Sequence, residues 1–278
     1  MTNLTLKRYI LKTLKLDNYK RDYRLTPQLP KYLNDTLIGL LLSDGGLQRS
    51  TDTSNIRLSV TMSIKNYAYI FHLYNLFELY IDTDLKVLDI NSSNLMELGK
   101  KYTTVRFKTI SMPQLLYYYN ISYKKNIINN KFEKIVPLAL KNNFNAISLA
   151  HLIMGDGNYL NKRDIILIYT NSFTEKNVKL LSNIIKDNIG ISNKVVFDRN
   201  DQYIIVIEKE NISITLDLLF PYMHPSMLYK LGVKENIILN SLDVGEAHSG
   251  VLDNSYYDQR RSGVINNKFD YFNIIDSI

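Results

Sequence analysis

Two stretches of the chain are apolar on almost every side. Residues 37 to 45 read LIGLLLSDG, and residues 149 to 157 read LAHLIMGDG. Each is an apolar run of about two helical turns closed by an Asp-Gly pair, and a helix without a polar face has to be buried nearly all round. The recurrence of one pattern points to a chain made of two copies of one structural unit. Two such helices are most economically buried against each other. Gly39 and Ala150, at neighbouring positions of the two copies, are expected to let the helix axes approach closely. Gly45 and Gly157 are expected to supply the left-handed turn that ends each helix. Asp44 and Asp156 then meet at one end of the pair if a pseudo-twofold axis relates the helices.

The same periodicities place the elements that follow each run. Residues 46 to 63 predict a hairpin whose second arm alternates Ile56, Leu58, Val60 and Met62 with Arg57, Ser59, Thr61 and Ser63, so that one face is buried and the other exposed. Residues 66 to 80 carry apolar side chains at helical spacing. Strands follow near 83 to 90 and 102 to 110, the latter alternating Val105 and Phe107 with Thr104, Arg106 and Lys108, and another helix begins over Met112 to Tyr119. The second half predicts the same order: a hairpin from Tyr159 to Thr170, a helix opened by the capping sequence Ser172-Phe173-Thr174-Glu175 and running to about Ile189, strands near 194 to 198 and 202 to 208, and a helix from 212 to 220. The fold class is α+β, with two pseudo-symmetric αββαββα repeats over residues 34–125 and 145–240. Residues 126–144 connect them, and the polar run SYKKNIINNKFE at 122 to 133 marks the boundary. Residues 1–33 read as a basic arm with an amphipathic segment (Leu4, Leu6, Ile10, Leu11, Leu14), and residues 241–278 as a tail with no firm structure.

Composition narrows the chemistry. With 34 Lys and Arg against 27 Asp and Glu the net charge is +7, which suits a polyanionic partner. There is no cysteine, which excludes disulfides and thiolate metal sites, and the four histidines at 72, 151, 224 and 248 show no HExxH spacing. Zinc chemistry is not expected. No apolar run reaches the length that spans a bilayer, and no membrane partner is expected. The N-terminus has no signal-peptide core and, interrupted by Asp17 and Asp22, makes a poor transit peptide.

The two acids are the unusual feature. A carboxylate at a helix C-terminus faces the negative end of the helix dipole, and two of them side by side repel. The placement makes sense if hard divalent cations bind there, among carboxylate and main-chain carbonyl oxygens.

The paired nonapeptides resemble the motifs of LAGLIDADG homing endonucleases in their single-chain, two-motif form, over roughly residues 34 to 235. The resemblance implies that Asp44 and Asp156, at the eighth motif position, bind Mg²⁺, with Mn²⁺ able to replace it, alongside the carbonyls of Ser43 and Gly155. The sixth-position acid of the family is replaced by Leu42 and Met154, and His151 stands where a small residue is usual at position three. The implied activity is metal-dependent cleavage of double-stranded DNA at a long, asymmetric target by a monomer. A composition heavy in Asn, Ile, Lys, Leu and Tyr, as an AT-rich coding sequence gives, joins the resemblance in suggesting an intron-encoded, mitochondrial product. The alternative within the same resemblance is a maturase that binds its own group I intron RNA. Retention of both acids favours cleavage, since RNA binding alone needs no pair of carboxylates.

The resemblance also carries Lys134, in KIVP, and Lys230, in MLYKL, to positions beside the metal site, where a lysine could stabilise charge on the scissile phosphate or orient the attacking water. Asn171, in YTNSF, could orient water. Antiparallel sheets can lie in the major groove, so outward strand residues become readers. In the first half these are Arg49, Arg57, Ser59, Thr61, Lys101, Arg106 and Lys108. In the second they are Asn161, Arg163, Tyr169, Lys194, Arg199 and Gln202. His151 reads as a hydrogen-bonded interface residue rather than a ligand, and Tyr117 to Tyr119 as helix core and rim.

Overall fold

The computed structural model describes residues 28–51, 53–91, 101–127, 130–199 and 201–233. The chain divides into two units, Met1–Lys234 and Glu235–Ile278, and all the described residues belong to the first. The basic arm before residue 28 and the C-terminal tail therefore lie outside the described residues.

The first apolar run forms α1 (Lys31–Leu41) and the second forms α4 (Ala146–Asp156). Helix α1 starts within the stretch expected to be an arm: the Pro30 carbonyl accepts the Asn34 N–H at 2.9 Å, and a proline at a helix start gives up no hydrogen bond. Asn145 caps α4, its side chain accepting from the Ile147 and Ser148 amides. Leu37, Ile38, Leu40, Leu149, Leu152 and Ile153 are wholly buried, each worth about 1.5–3 kcal/mol. The two helices pack on each other.

Neither helix ends as expected. Among the described residues the glycines with positive φ are Gly190 and Gly232, whereas Gly157 is extended at φ −82° and ψ 154°. Helix α1 closes by tightening: the Ser43 amide reaches Leu40 O at 3.0 Å, and the Ser43 hydroxyl donates to Gly39 O at 3.0 Å. Gly45 and Gly157 instead open strands β1 (Gly45–Arg49) and β7 (Gly157–Leu160). Their role is proximity, because a Cβ at Gly45 would lie 2.8 Å from Leu40 O and one at Gly157 would lie 2.5 Å from Ile153 O. Each strand begins in contact with the last turn of its helix, so each acid stands at a helix-to-strand junction.

The first repeat continues through β2 (Ile56–Ser63), α2 (Tyr67–Leu76), β3 (Lys86–Asn91), β4 (Lys101–Lys108) and α3 (Leu115–Ser122). The second continues through β8 (Ile165–Tyr169), α5 (Glu175–Ile189), β9 (Lys194–Arg199), β10 (Gln202–Ile207) and α6 (Ile212–Leu219). This is the α+β fold of two pseudo-symmetric αββαββα-like repeats with paired interface helices. The antiparallel sheets run β1-β2-β4-β3 and β7-β8-β10-β9. Their registers correspond: Gly45 pairs with Val60 and Val60 with Phe107, while Gly157 pairs with Ile168 and Ile168 with Ile205. Helices α2 and α3 cover one face of the first sheet, with Tyr74 and Phe77 against Phe107. Helix α5 covers the second sheet.

Two local expectations shift. The cap of α5 is Thr174, whose hydroxyl accepts the Asn177 amide, and not Ser172. Burial of Phe173 and its amide's bond to Thr170 O hold the preceding turn in the core, which leaves Thr174 as the last residue before the helix. The polar connection is ordered as a hairpin, β5 (Tyr123–Lys125) with β6 (Phe132–Lys134). Tyr123 stacks on Tyr119 and accepts the Leu47 amide at 2.9 Å, and this hairpin ends on Lys134. Among the described residues no helix is long and apolar enough to cross a membrane.

Candidate active site

The helix pair is closed by small residues. A Cβ at Gly39 would collide with Ser148 O and lie 2.6 Å from His151 Cβ, and one at Gly155 would lie 2.6 Å from Ser43 Cβ and 3.3 Å from Asp44 Oδ2. Gly39 thus does what its place in the motif suggests, and the second close approach falls at Gly155. The room at Gly39 is taken by His151 from the equivalent position of the other motif. His151 is fully buried, with Nε2 3.1 Å from Thr36 Oγ1 and Nδ1 2.8 Å from Tyr69 Oη. It is the hydrogen-bonded interface residue expected.

Asp44 follows α1, Asp156 ends α4, and the Asp44 carboxylate lies against Gly155 of the opposite motif. Two lysines enter from elsewhere in the chain. Lys134 Nζ donates to Ser43 O at 3.1 Å and Gly45 O at 2.8 Å. Lys230, on a buried 3₁₀ turn (Pro225–Leu231), donates to Met154 O at 2.7 Å and Gly155 O at 2.6 Å. Both ammonium groups therefore cap the free carbonyls of the motif's last turn, where positive charge is favoured.

Burial works against every charge in this group. It raises the Asp44 carboxyl, opposed by Lys230 and Lys134. It raises Asp156 to about 7, with Asp44 adding repulsion and the two lysines opposing. It lowers Lys134 to about 8, and lowers Lys230, in both cases against the pull of the two acids. The cluster is short of solvation, and a polyvalent charge or a phosphate would find partners in it. Among the described residues no three His, Asp or Glu side chains gather. The donors are two carboxylates and adjacent carbonyl oxygens, each carbonyl keeping a second lone pair beside its lysine. That set fits Mg²⁺, which is commonly held by one or two carboxylates and keeps several waters.

The expected readers divide. Register places Arg57, Ser59 and Thr61 beside Lys108 and Arg106 on the face of the first sheet opposite the core residues Val60, Val105 and Phe107. Lys86, opposite Arg106, joins them. Lys108 is lowered by burial and then by Arg106, Arg57 and Lys86, the electrostatic mark of cations sharing one face. Arg57 Nε is buried without a partner. Sequence reasoning missed Lys86, because KVLDIN does not alternate and only its pairing with β4 sets Lys86 on this face. Arg49 is not on this face: it pairs with buried Ile56, bonds Ser54 O and lies over the Tyr119 ring. Lys101 shares the strand parity of Val105 and Phe107, which likewise sets it on the opposite side.

In the second half, Asn161 and Arg163 lie in the β7–β8 turn, and Arg199 and Gln202 flank the β9–β10 turn. Lys194 is paired with Glu208 at 2.5 Å and Arg199 with Asp198 at 3.6 Å. Tyr169 belongs to an apolar cluster. Asn171 sits in the exposed turn just past the end of β8 that pairs with Gly157. Tyr119 is largely buried and Tyr117 half-exposed, as core and rim.

The arrangement defines a class: pseudo-symmetric single-chain proteins whose paired helices carry two acids to one point between two sheets. Residues 35–214 match the model of the LAGLIDADG DNA endonuclease family, and the chain belongs to that family. It is 28% identical over 200 residues to the cytochrome b mRNA maturase bI2 of Saccharomyces cerevisiae, covering 70% of this chain and 46% of the maturase. It is 34% identical over 137 residues to the intron-encoded endonuclease ai4 of Dictyostelium discoideum, covering 49% of this chain and 81% of that protein. The fold is similar to that of the homing endonuclease I-WcaI bound to its DNA recognition sequence, with a TM-score of 0.66 and 24% identity over 78% of this chain and 91% of that one.

Proposed function

We propose that the chain is a monomeric, site-specific endonuclease that makes a double-strand break at a long, asymmetric DNA target. The observation that carries this reading is the convergence of Asp44, Asp156, Lys134 and Lys230 on one buried point. The cationic outer face of the first sheet supports it. Asp44 and Asp156 would hold divalent metal, with Ser43 O and Gly155 O beside them. Bound there, the metal would supply an activated water and neutralise charge on the leaving oxygen. The lysines hold positive charge at the carbonyls next to each acid, where it stabilises the charge that develops on the scissile phosphate. Asn171 would orient water near the end of β8. The reaction forms a bond from water oxygen to phosphorus and breaks the bond to the 3′ oxygen, which leaves with a proton. One acid and one lysine on each motif provide for each strand, so a single chain suffices.

The test is incubation with DNA spanning the intronless form of the host gene, with and without Mg²⁺, beside Asp44→Asn and Asp156→Asn. Metal-dependent double-strand cutting that each substitution abolishes or reduces to nicking is expected; intact DNA with the native chain would overturn the reading.

A second reading rests on the similarity to the yeast maturase: the chain binds its group I intron RNA and aids splicing. Preferential binding of that RNA, unaffected by Asp44→Asn, would favour it. The relatives named for introns and cytochrome b mRNA, with the Asn-, Ile- and Lys-rich composition, support an intron-encoded, mitochondrial product.

A further inference from the structure

The outer faces of the two sheets are built from opposite chemistry. Register makes the comparison residue by residue, starting from the equivalent pairs Gly45 with Val60 and Gly157 with Ile168. Arg57 corresponds to Ile165, Ser59 to Leu167, and Thr61 to Tyr169. Across the next strand, Arg106 corresponds to Ile204 and Lys108 to Val206; Lys86 on the edge corresponds to Val196. Each of these four cations of the first sheet's outer face is replaced by an aliphatic side chain in the second, whose outer face carries Lys194 beside Val206.

This apolar set lies on the face opposite the main core. The core face of the second sheet is Ile166, Ile168, Ile205 and Ile207, all wholly buried. Leu167, Ile204 and Val206 form a second buried cluster, and the groups left accessible on this face are Leu160, Ile165, Tyr169 and Val196, half-buried against it. Cations stand at both ends of this face: Lys162 and Arg163 are exposed in the β7–β8 turn at one end, and Arg199 stands beside the β9–β10 turn at the other. An apolar floor with cations at its ends suits a groove that has phosphates on its rims and an apolar group on its floor. In the major groove of DNA that group is the thymine C5 methyl. A G·C pair set against Ile165 or Val196 would leave its donors and acceptors desolvated without partners, which is unfavourable.

We propose that the second repeat reads thymine methyl groups through this face, so that its half-site is rich in thymine while the first repeat reads its half-site with cations and hydroxyls. The inference rests on the endonuclease reading and adds the chemistry by which one half-site is recognised.

The test begins with a randomised duplex library from which the native chain selects bound DNA, followed by cleavage of the selected site in Mg²⁺. Arg106→Gln identifies the first repeat's half-site as the one where specificity relaxes. Deoxyuridine, which lacks only the methyl, then replaces thymidine in either half. In the second repeat's half-site, binding is expected to weaken about fourfold per contacted methyl, with little change in the other half. Val196→Thr, at a half-exposed edge position of the same face, should diminish the distinction between deoxyuridine and thymidine while keeping the fold. A selected half-site without thymine preference, or equal tolerance of deoxyuridine in both halves of a site that is still cut, overturns this inference alone. Failure to select or cut any duplex overturns it together with the endonuclease reading.

Discussion

Lys134 and Lys230 meet the equivalent carbonyl on opposite motifs: each ammonium bonds the main-chain oxygen just before an acid, Ser43 for one and Gly155 for the other, and adds a second carbonyl that differs, Gly45 for Lys134 and Met154 for Lys230. One lysine ends a hairpin between the repeats and the other sits on a 3₁₀ turn near the end of the second. The pseudo-twofold relation of the helix pair therefore extends to the lysines, each of which follows the last helix of its repeat.

Lys134→Met and Lys230→Met should each lower cleavage by about 10²–10³-fold, as loss of a buried donor at a reacting group does, with DNA binding changed only a few-fold. Because each lysine serves one motif, each single variant should accumulate nicked DNA. Gel separation of supercoiled, nicked and linear plasmid reads this directly, and equal loss of both cuts in either variant would count against one lysine per strand.

Gly39→Ala should destabilise the fold by about 1–3 kcal/mol, because the new methyl meets Ser148 O and His151 Cβ. Adding His151→Gly should recover part of that loss, since it removes the Cβ that the new methyl meets while the main-chain oxygen stays. Urea midpoints for the two single variants and the double variant give the coupling. Strict additivity would contradict the packing described.

Acid should weaken the protein through His224. Burial lowers its pKa, its Nδ1 accepts the Ser226 amide, and its ring lies 5.1 Å from that of His72 and 6.1 Å from that of Tyr69. A histidine with a depressed folded value binds fewer protons folded than unfolded, so its contribution is present above about pH 6.5 and lost as pH falls through the folded value. His224→Asn, which keeps a capping acceptor, should show a smaller fall in Tm between pH 7.5 and pH 5.5 than the native chain.

Lys86→Gln, on the edge strand, should reduce the slope of log binding constant against log salt by about one, as loss of a phosphate contact does. Lys194→Gln should change it less, because Lys194 is neutralised by Glu208. Filter binding over a series of salt concentrations checks both.

Helix pairing, the order of elements along the chain and the meeting of the two acids were legible in the sequence because each follows from a period or a repeat. Helix ends were not: the Asp-Gly pair suggests a left-handed stop, and only the contact of Gly45 with Leu40 and of Gly157 with Ile153 shows that the glycine serves the following strand. Arg49 and Lys101 were misplaced because one residue of strand parity decides the face, and their strands meet buried partners on the other side. Lys86 was overlooked because the short edge strand KVLDIN contributes to the outer face only through its pairing with β4. The ordering of the polar connector depends on the Tyr123 contacts with Tyr119 and the Leu47 amide, which no local pattern reveals.

The fit of His151 into the space left by Gly39 makes the two repeats complementary rather than alike. A protein assembled from two first repeats would set glycine against glycine and leave a hole in its seam, and one assembled from two second repeats would press one β-carbon on another. The halves are therefore not interchangeable.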